Sequence, residues 1–490
     1  MLFNILIPLL VLLLFIAAFI LVRTAAFSTT NRPPQPGKPI SLDPRQPAEH
    51  LAEAIRCETI STARGKPNRD ALIAMHRFLE QRFPLVHQHL QRTQIAEYSL
   101  VYRWAGTQTD LEPILLMAHL DVVPVDPATL PAWKYAPFEG VIEEGFIWGR
   151  GSLDMKNQLV AIFEALELLL ASGYQPERDI YITCGHDEEI GGLDGTRQIA
   201  AWFREQGTRF ALVLDEGPAI AQDGYPGIRS PVALVATGEK GYLTLELNVE
   251  CEPGHSSIPP RQTAIGILSR AITRLEARPM PAHIRALQPF YRAVGNGAPF
   301  SMQLAFANLW LFGRYCRKMM ETNPQTNAAI RTTLAPTIIN GGVKDNILPR
   351  QASARINFRI LPGDTISSVC EHVRKVIRDP RVKFQPYRGI AWEASPVSSI
   401  ASPAFNSLKR VIQQNFGGLP VAPFIMLGAT DSRHFNDLAG QIFRFSPMML
   451  SSSDQARIHG INERIAVDEL VRMVQFFHQL LQAWSKPSIQ

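Results

Sequence analysis

An α/β fold, with a mixed and mainly parallel sheet covered by helices, is what this chain predicts, and three observations predict it. Short apolar runs rich in β-branched residues, at 114–118, 179–184 and 210–214, alternate with segments of helical periodicity. Each run ends in acidic or imidazole side chains, as expected where the carboxyl edge of a parallel sheet presents a site. Between about 238 and 390 the pattern changes to alternating strands with two long helices, an inserted α+β, ferredoxin-like lid. An N-terminal transmembrane helix completes the architecture. The expected divisions are 1–25 (anchor or signal segment), 26–46 (Pro-rich linker), 47–237 and 391–490 (two parts of the main domain), and 238–390 (the lid).

From Ile5 to Val22 there are 18 residues without a charge. As a helix they span about 27 Å, close to the hydrocarbon thickness of a bilayer. A cleavable signal has a basic start and a shorter apolar stretch, so an uncleaved anchor is the expectation, with cleavage near Ala25-Ala26 and secretion as the competing one. Arg23, Arg32 and Lys38 follow the span, and the positive-inside rule would hold them in the cytoplasm.

The 490 residues carry a formal charge of +5 and no dense basic run, which argues against a nucleic-acid partner. Five scattered cysteines offer neither a disulfide framework nor a thiolate metal site.

In the main domain, helices are expected at 47–59 and 68–83 and a strand at 98–104. The strand at 114–118 delivers His119 and, two residues on, Asp121; an imidazole can ligate a metal while a carboxylate fixes its tautomer. A hairpin over 137–149 leads to Asp154, just ahead of a helix at 159–171, where it can cap the helix or bridge two metal ions. The strand at 179–184 runs into Gly185-His-Asp-Glu-Glu-Ile-Gly-Gly192. Of its adjacent carboxylates, Glu188 and Glu189, one can bind a metal while the other accepts a proton from water. A helix at 196–206 and the strand at 210–214 lead to Asp215-Glu216-Gly217, and His459 lies on a Gly-containing loop before a helix at 467–484. Oxygen and imidazole donors without thiolate suit zinc, cobalt or manganese, and a shared carboxylate suits a two-metal hydrolase.

In the lid, strands are expected at 242–251, 335–340, 352–361 and 382–386, with helices at 263–277 and 366–378. The mostly helical insertion at about 279–333 carries Phe300, Met302, Leu304, Phe306, Leu309, Trp310, Leu311 and Phe312. Its plain reading is additional lid core; the sharper one is an apolar wall for a lipid-like substrate or for a membrane surface.

His119-Leu-Asp121, Gly149 to Lys156, Glu188-Glu189-Ile-Gly-Gly, Asp215-Glu216-Gly, Gly254-His255-Ser-Ser and the late His459 together resemble the zinc metallopeptidase family of aminoacylase, glutamate carboxypeptidase and carboxypeptidase S, over roughly residues 50–485. The apolar N-terminus and long lid look most like carboxypeptidase S and the N-fatty-acyl-amino-acid synthase/hydrolases. The resemblance implies two zinc ions, with cobalt or manganese as substitutes: one held by His119, Asp154 and Asp215, the other by Asp154, Glu189 and His459. It implies that Asp121 orients His119 and that Glu188 is the general base. His255 would steady the tetrahedral oxyanion, in some dimeric relatives across a homodimer interface formed by the lid. Asn346 would belong to the substrate site, Arg359 would receive a free carboxylate, and the loop from Gly428 to Arg433 would lie beside the metals, with Arg433 a second carboxylate anchor.

The implied reaction is hydrolysis of an N-acyl amino acid or short peptide beside a free carboxylate, with long acyl chains and a reverse condensation if the insertion lines the cleft. Alternatives are a membrane-tethered exopeptidase acting on ordinary dipeptides and a non-catalytic binding protein on the same scaffold. The relatives' exported placement opposes the charge rule, and the exported side is the expectation for the globule.

Overall fold

The computed structural model describes residues 2–27 and 34–489; residues 28–33 of the expected linker lie outside them. The chain begins with α1 (Leu2–Phe27), whose apolar side chains are almost all exposed. Next come α2 (Arg45–Arg56) and α3 (Arg69–Arg82), each burying one face, with Leu72, Met75, Phe78 and Leu79 on α3. The antiparallel pair β1 (Gln91–Ile95) and β2 (Ser99–Trp104) leads to β3 (Ile114–His119). Helix α4 (Lys156–Ala171) precedes β4 (Ile180–Gly185), and α5 (Thr196–Glu205) precedes β5 (Leu212–Asp215). The short β6 (Ile220–Ala221) and the fully buried β7 (Val232–Glu239) follow.

The chain then builds β8 (Gly241–Glu250), α6 (Ala264–Ala277), α7 (Phe300–Ala307), α8 (Leu309–Glu321), β9 (Thr333–Gly341), β10 (Gln351–Ile360), α9 (Ile366–Ile377) and β11 (Val382–Trp392). It returns through α10 (Pro403–Asn415), β12 (Val421–Met426), β13 (Ile442–Arg444), β14 (Met449–Leu450) and α11 (Val467–Trp484).

The main sheet has ten strands in the order β1-β2-β4-β3-β5-β13-β7-β6-β14, with β12 beside β7. At its centre β4, β3, β5 and β13 run parallel. Helices cover both faces, so β3 is buried at every residue, which is why its sequence is a continuous apolar run rather than an alternating one. On one face α11 buries Leu470, Met473, Val474, Phe476, Phe477, Leu480, Leu481 and Trp484 against α4 and α10. Each such side chain contributes about 1.5–3 kcal/mol by leaving water. On the other face Phe203 of α5 packs with Phe210 and Phe435.

The second sheet has the order β9-β10-β8-β11, with every pair antiparallel. Its strands follow the sequence order βαββαβ around α6 and α9. Strand β10 alternates buried and partly buried residues, and Leu243, Leu245, Ile356, Phe358, Val369 and Val373 form a core separate from that of the main sheet. Helix α9 starts on a capping box between Thr365 and Ser368.

The insertion corrects one expectation. Its helices do not extend the second sheet's core. Phe290, Tyr291 and Phe306 instead pack with Tyr225, Val232, Leu234 and Ala422, on the end of the main sheet, and with Phe27 of α1. The apolar face of β7 there requires a cover, and the insertion supplies it.

Candidate active site

Parallel pairing puts the ends of three strands at one edge. His119, the last residue of β3, is in register with Gly185, the last of β4, so the turn carrying Glu188 and Glu189 emerges beside the imidazole. Strand β5 ends next to them at Asp215. Asp154, from the loop ahead of α4, lies with its Oδ1 3.1 Å from His119 Nε2 and its Oδ2 3.1 Å from His459 Nε2. His459 Nε2 is also 3.3 Å from Glu189 Oε2. Two ligand-like groups result, one of His119, Asp154 and Glu216 and one of Asp154, Glu189 and His459, with Asp154 common to both.

The expected ligand Asp215 is not in either group; its neighbour Glu216 is, with Oε1 3.7 Å from His119 Nε2. Asp215 is otherwise engaged. Its Oδ2 accepts from the Ser432 amide at 2.8 Å and its Oδ1 from the Glu216 amide at 2.9 Å, so it anchors the 428–433 loop. Sequence reading had both acids side by side and nothing in their types to separate them.

Asp121 does more than orient an imidazole. Its backbone carbonyl accepts from His119 Nδ1 at 2.9 Å, and its carboxylate lies 3.4 Å from the same nitrogen. That carboxylate also accepts from the amides of Glu188 and Glu189, at 3.1 and 3.2 Å. One buried side chain thus sets both the ring and the acidic turn.

Glu463 escaped sequence reasoning and is fully buried. Its carboxylate pairs with the Arg150 guanidinium and accepts from the amides of Gly151 and Leu153, at 2.9 and 2.8 Å. Arg150 Nη2 in turn donates to the His459 carbonyl at 3.1 Å, where the backbone is left-handed at φ 61°. The only available signal was position: Glu463 sits four residues after His459 in the same loop.

The electrostatics of the cluster are those of a cation site. Burial, and next the Asp431 carboxylate, push the Glu188 carboxyl well up; burial and the neighbouring Asp154 do the same for Glu216. Hydrogen bonds to Asp154 and Glu189 raise His459 to about 10. Glu189 Oε1 is buried without a hydrogen-bond partner among the described residues. An orphaned carboxylate oxygen amid four acids and two imidazoles fits divalent cations bound through oxygen and nitrogen.

The remaining candidates are divided. His255 and Asn346 lie on opposite sides of an exposed two-stranded ribbon, where His255 pairs with Ile347 and the Ser256 amide donates to the Asn346 carbonyl at 3.1 Å. No hydrogen bond or ion pair among the described residues joins them to the carboxylate cluster. Gly428 opens the loop whose Thr430 amide donates to the buried Glu239 at 2.9 Å. Arg359 and Arg433 stand on either side of an aromatic stack: Arg359 over Tyr242 at 5.0 Å, Tyr242 on Trp392 at 4.7 Å, and Arg433 over Trp392 at 5.0 Å. Arg433 donates to the carbonyls of Thr430 and Gly191, whereas the Arg359 guanidinium has no hydrogen-bond partner among the described residues.

Residues 115–483 match the family model described as Peptidase family M20/M25/M40. The chain is 41% identical over 445 residues to "Probable carboxypeptidase S-like 2" of Dictyostelium discoideum, covering 90% of this chain and 85% of that protein. It is 41% identical over 443 residues to "N-fatty-acyl-amino acid synthase/hydrolase PM20D1" of Xenopus tropicalis, covering 89% and 86%. Among solved structures, an M20 family metallo-carboxypeptidase of Sulfolobus solfataricus superposes with a TM-score of 0.65 at 19% identity, covering 91% of this chain and 100% of that one.

Proposed function

This chain belongs to peptidase family M20/M25/M40 and is a hydrolytic metalloenzyme, and we propose that it cleaves the amide bond of N-acyl amino acids beside their free carboxylate. The observation that carries this reading is the meeting of His119, Asp154, Glu189, Glu216 and His459, with the half-buried Glu188 carboxylate beside them. Zinc is the proposed metal, with His119, Asp154 and Glu216 holding one ion and Asp154, Glu189 and His459 the other. When bound, such ions would lower the pKa of a coordinated water to about 7 and polarise the amide carbonyl.

The chain's own residues then do the following. Glu188 accepts the proton of the attacking water and returns it to the leaving amine nitrogen as the C–N bond breaks. Asp121, holding the amides of Glu188 and Glu189, keeps base and ligand at a fixed separation. Arg359, stacked on Tyr242 and without a hydrogen-bond partner among the described residues, receives the substrate carboxylate through two parallel hydrogen bonds. Arg433, already committed to two carbonyls, braces the loop instead.

A long acyl chain is the preferred substituent. A cavity of about 420 Å³ lined by Leu287, Ala329, Leu361, Val397, Phe424 and Ile425 lies between the insertion and β12, which runs on to Gly428. The relative named as an N-fatty-acyl-amino acid synthase/hydrolase supports the same preference, and condensation is the reverse of the step above. The second sheet acts as the lid. Its outer strand β9 is exposed along most of its length, with Ile338 and Ile339 outward, and pairing of two copies there is the proposed route by which His255 assists the oxyanion of a neighbour. Helix α1 is the proposed membrane anchor, with the globule on the exported side; the burial of Thr24 and Phe27 in the globule favours its retention over cleavage at Ala25-Ala26.

The test is direct. Glu188→Gln should keep its metal content by elemental analysis and lose about 10²–10⁴-fold in turnover. A long-chain N-acyl amino acid should be hydrolysed with higher kcat/KM than its N-acetyl counterpart. Equal or better turnover of the acetyl substrate would remove the acyl-chain preference, and favourable turnover of plain dipeptides would support the exopeptidase alternative.

A further inference from the structure

We propose that α8, with the start of α7, lies in the headgroup layer of the membrane that α1 enters, giving the protein a second, in-plane lipid contact. This rests on the reading of α1 as an anchor. The end of α1 is joined to the insertion by a polar seam. Arg23 Nη2 donates to the Ala307 carbonyl at 3.1 Å, and the Asn308 side-chain amide reaches Thr24 Oγ1 at 3.2 Å and the Ile20 carbonyl at 3.4 Å. Thr24 and Asn308 are buried, as is Phe27. The two parts are therefore in fixed register.

That register works as a depth gauge. Arg23 is the first charge after the apolar run, so it marks where hydrocarbon gives way to headgroups. Phe19, one helical turn or about 6 Å deeper, has its ring centroid 6.3 Å from that of Trp310 at the start of α8. A bilayer that receives α1 up to Arg23 must therefore reach Trp310.

The outward face of α8 is built for that layer. Trp310, Leu311 and Tyr315 are 54%, 49% and 65% exposed, and Phe300 at the start of α7 is 61% exposed. Arg314 and Lys318 share this face at helical spacing. Tryptophan and tyrosine flanked by cations whose stems can snorkel are the side chains of an interfacial helix, and the cations match anionic lipid. Continuity with the apolar surface of α1 makes a lipid leaflet the occupant of this face.

The full-length protein is reconstituted into phosphatidylcholine/phosphatidylglycerol vesicles containing lipid brominated near the headgroup end of its acyl chains. Trp310 is one of seven tryptophans, and α1 contains none. Wild-type protein should show a quenched fluorescence component that Trp310→Phe, a change at an exposed site, loses. Equal quenching in the two proteins overturns the proposal, and if a second copy covers α8 this result will come with a doubled particle mass. Protein that fails to float with the vesicles overturns the anchor reading and this one together; protein that floats with Trp310 unquenched overturns this one alone.

Discussion

Among single residues, the adjacent pair Asp215 and Glu216 shows how closely a candidate ligand and a structural acid can resemble each other. Glu216 faces His119, and Asp215 holds two amides. Glu216→Gln should therefore lower bound metal toward one ion per chain, read by elemental analysis, with little change in melting temperature. Asp215→Ala should act first on stability, costing about 1–3 kcal/mol by stranding the buried Ser432 amide and the part-buried Glu216 amide, read by denaturant unfolding. Arg359→Met should raise KM for a carboxylate-bearing substrate by roughly 10–100-fold while hardly changing it for the corresponding methyl ester, the difference a charge-assisted pair supplies.

Most of this candidate centre was legible in the sequence, because His119, Asp154 and Glu189 follow a strand end or precede a helix and His459 lies on a Gly-containing loop ahead of the last long helix. What was not legible is the direction of a side chain within a doublet, which depends on backbone torsions at the end of β5. Glu463 was hidden for a different reason. Its partners, Arg150 and the amides of the 150–154 loop, lie more than 300 residues away in the chain, and no local pattern announces such a contact.

At the level of elements, α3, α6, α9 and α11 were readable from the periodicity of an apolar face, and α4 from a long apolar run that is buried nearly all round. The polar edge strand β1 and the strands β12 and β13 carry weaker signals, the first because an edge strand has no apolar face to show. The turn Asp431–Phe435 offers a test of its own. Burial, and next the Arg433 guanidinium, lower His434 to about 3. The folded state thus keeps this ring neutral, while the unfolded chain protonates it near 6.5. Its contribution is fully present above about pH 6.5 and is lost as pH falls from there toward 3. His434→Gln should flatten the fall in stability across that interval, measured as melting temperature against pH.

At the scale of the whole molecule, the main sheet and the second sheet have separate cores, and the aromatic stack joins them. Tyr242 and Trp392 belong to the second sheet, and Arg433 to the loop beside the carboxylate and imidazole cluster. Removing the ring in Trp392→Ala forfeits a cation–π contact of about 0.5–2 kcal/mol. Amide hydrogen exchange should then quicken in residues 428–435 and stay unchanged in α11. That two sheets exist was foreseeable from the change in strand pattern near residue 240; that the insertion would cover the main sheet was not, because apolar residues at helical spacing do not say which neighbour they will meet.

The clasp of Glu463, Arg150 and His459 has a consequence for the timing of synthesis. The loop that presents Asp154 receives its carboxylate brace, and His459 its place, only from the final thirty or so residues of the 490. A ribosome-bound or prematurely terminated chain lacks both. A chain stopped just upstream of His459 should therefore lose turnover however well the rest has folded, since the proposed second metal site loses a ligand and the Asp154 loop its brace.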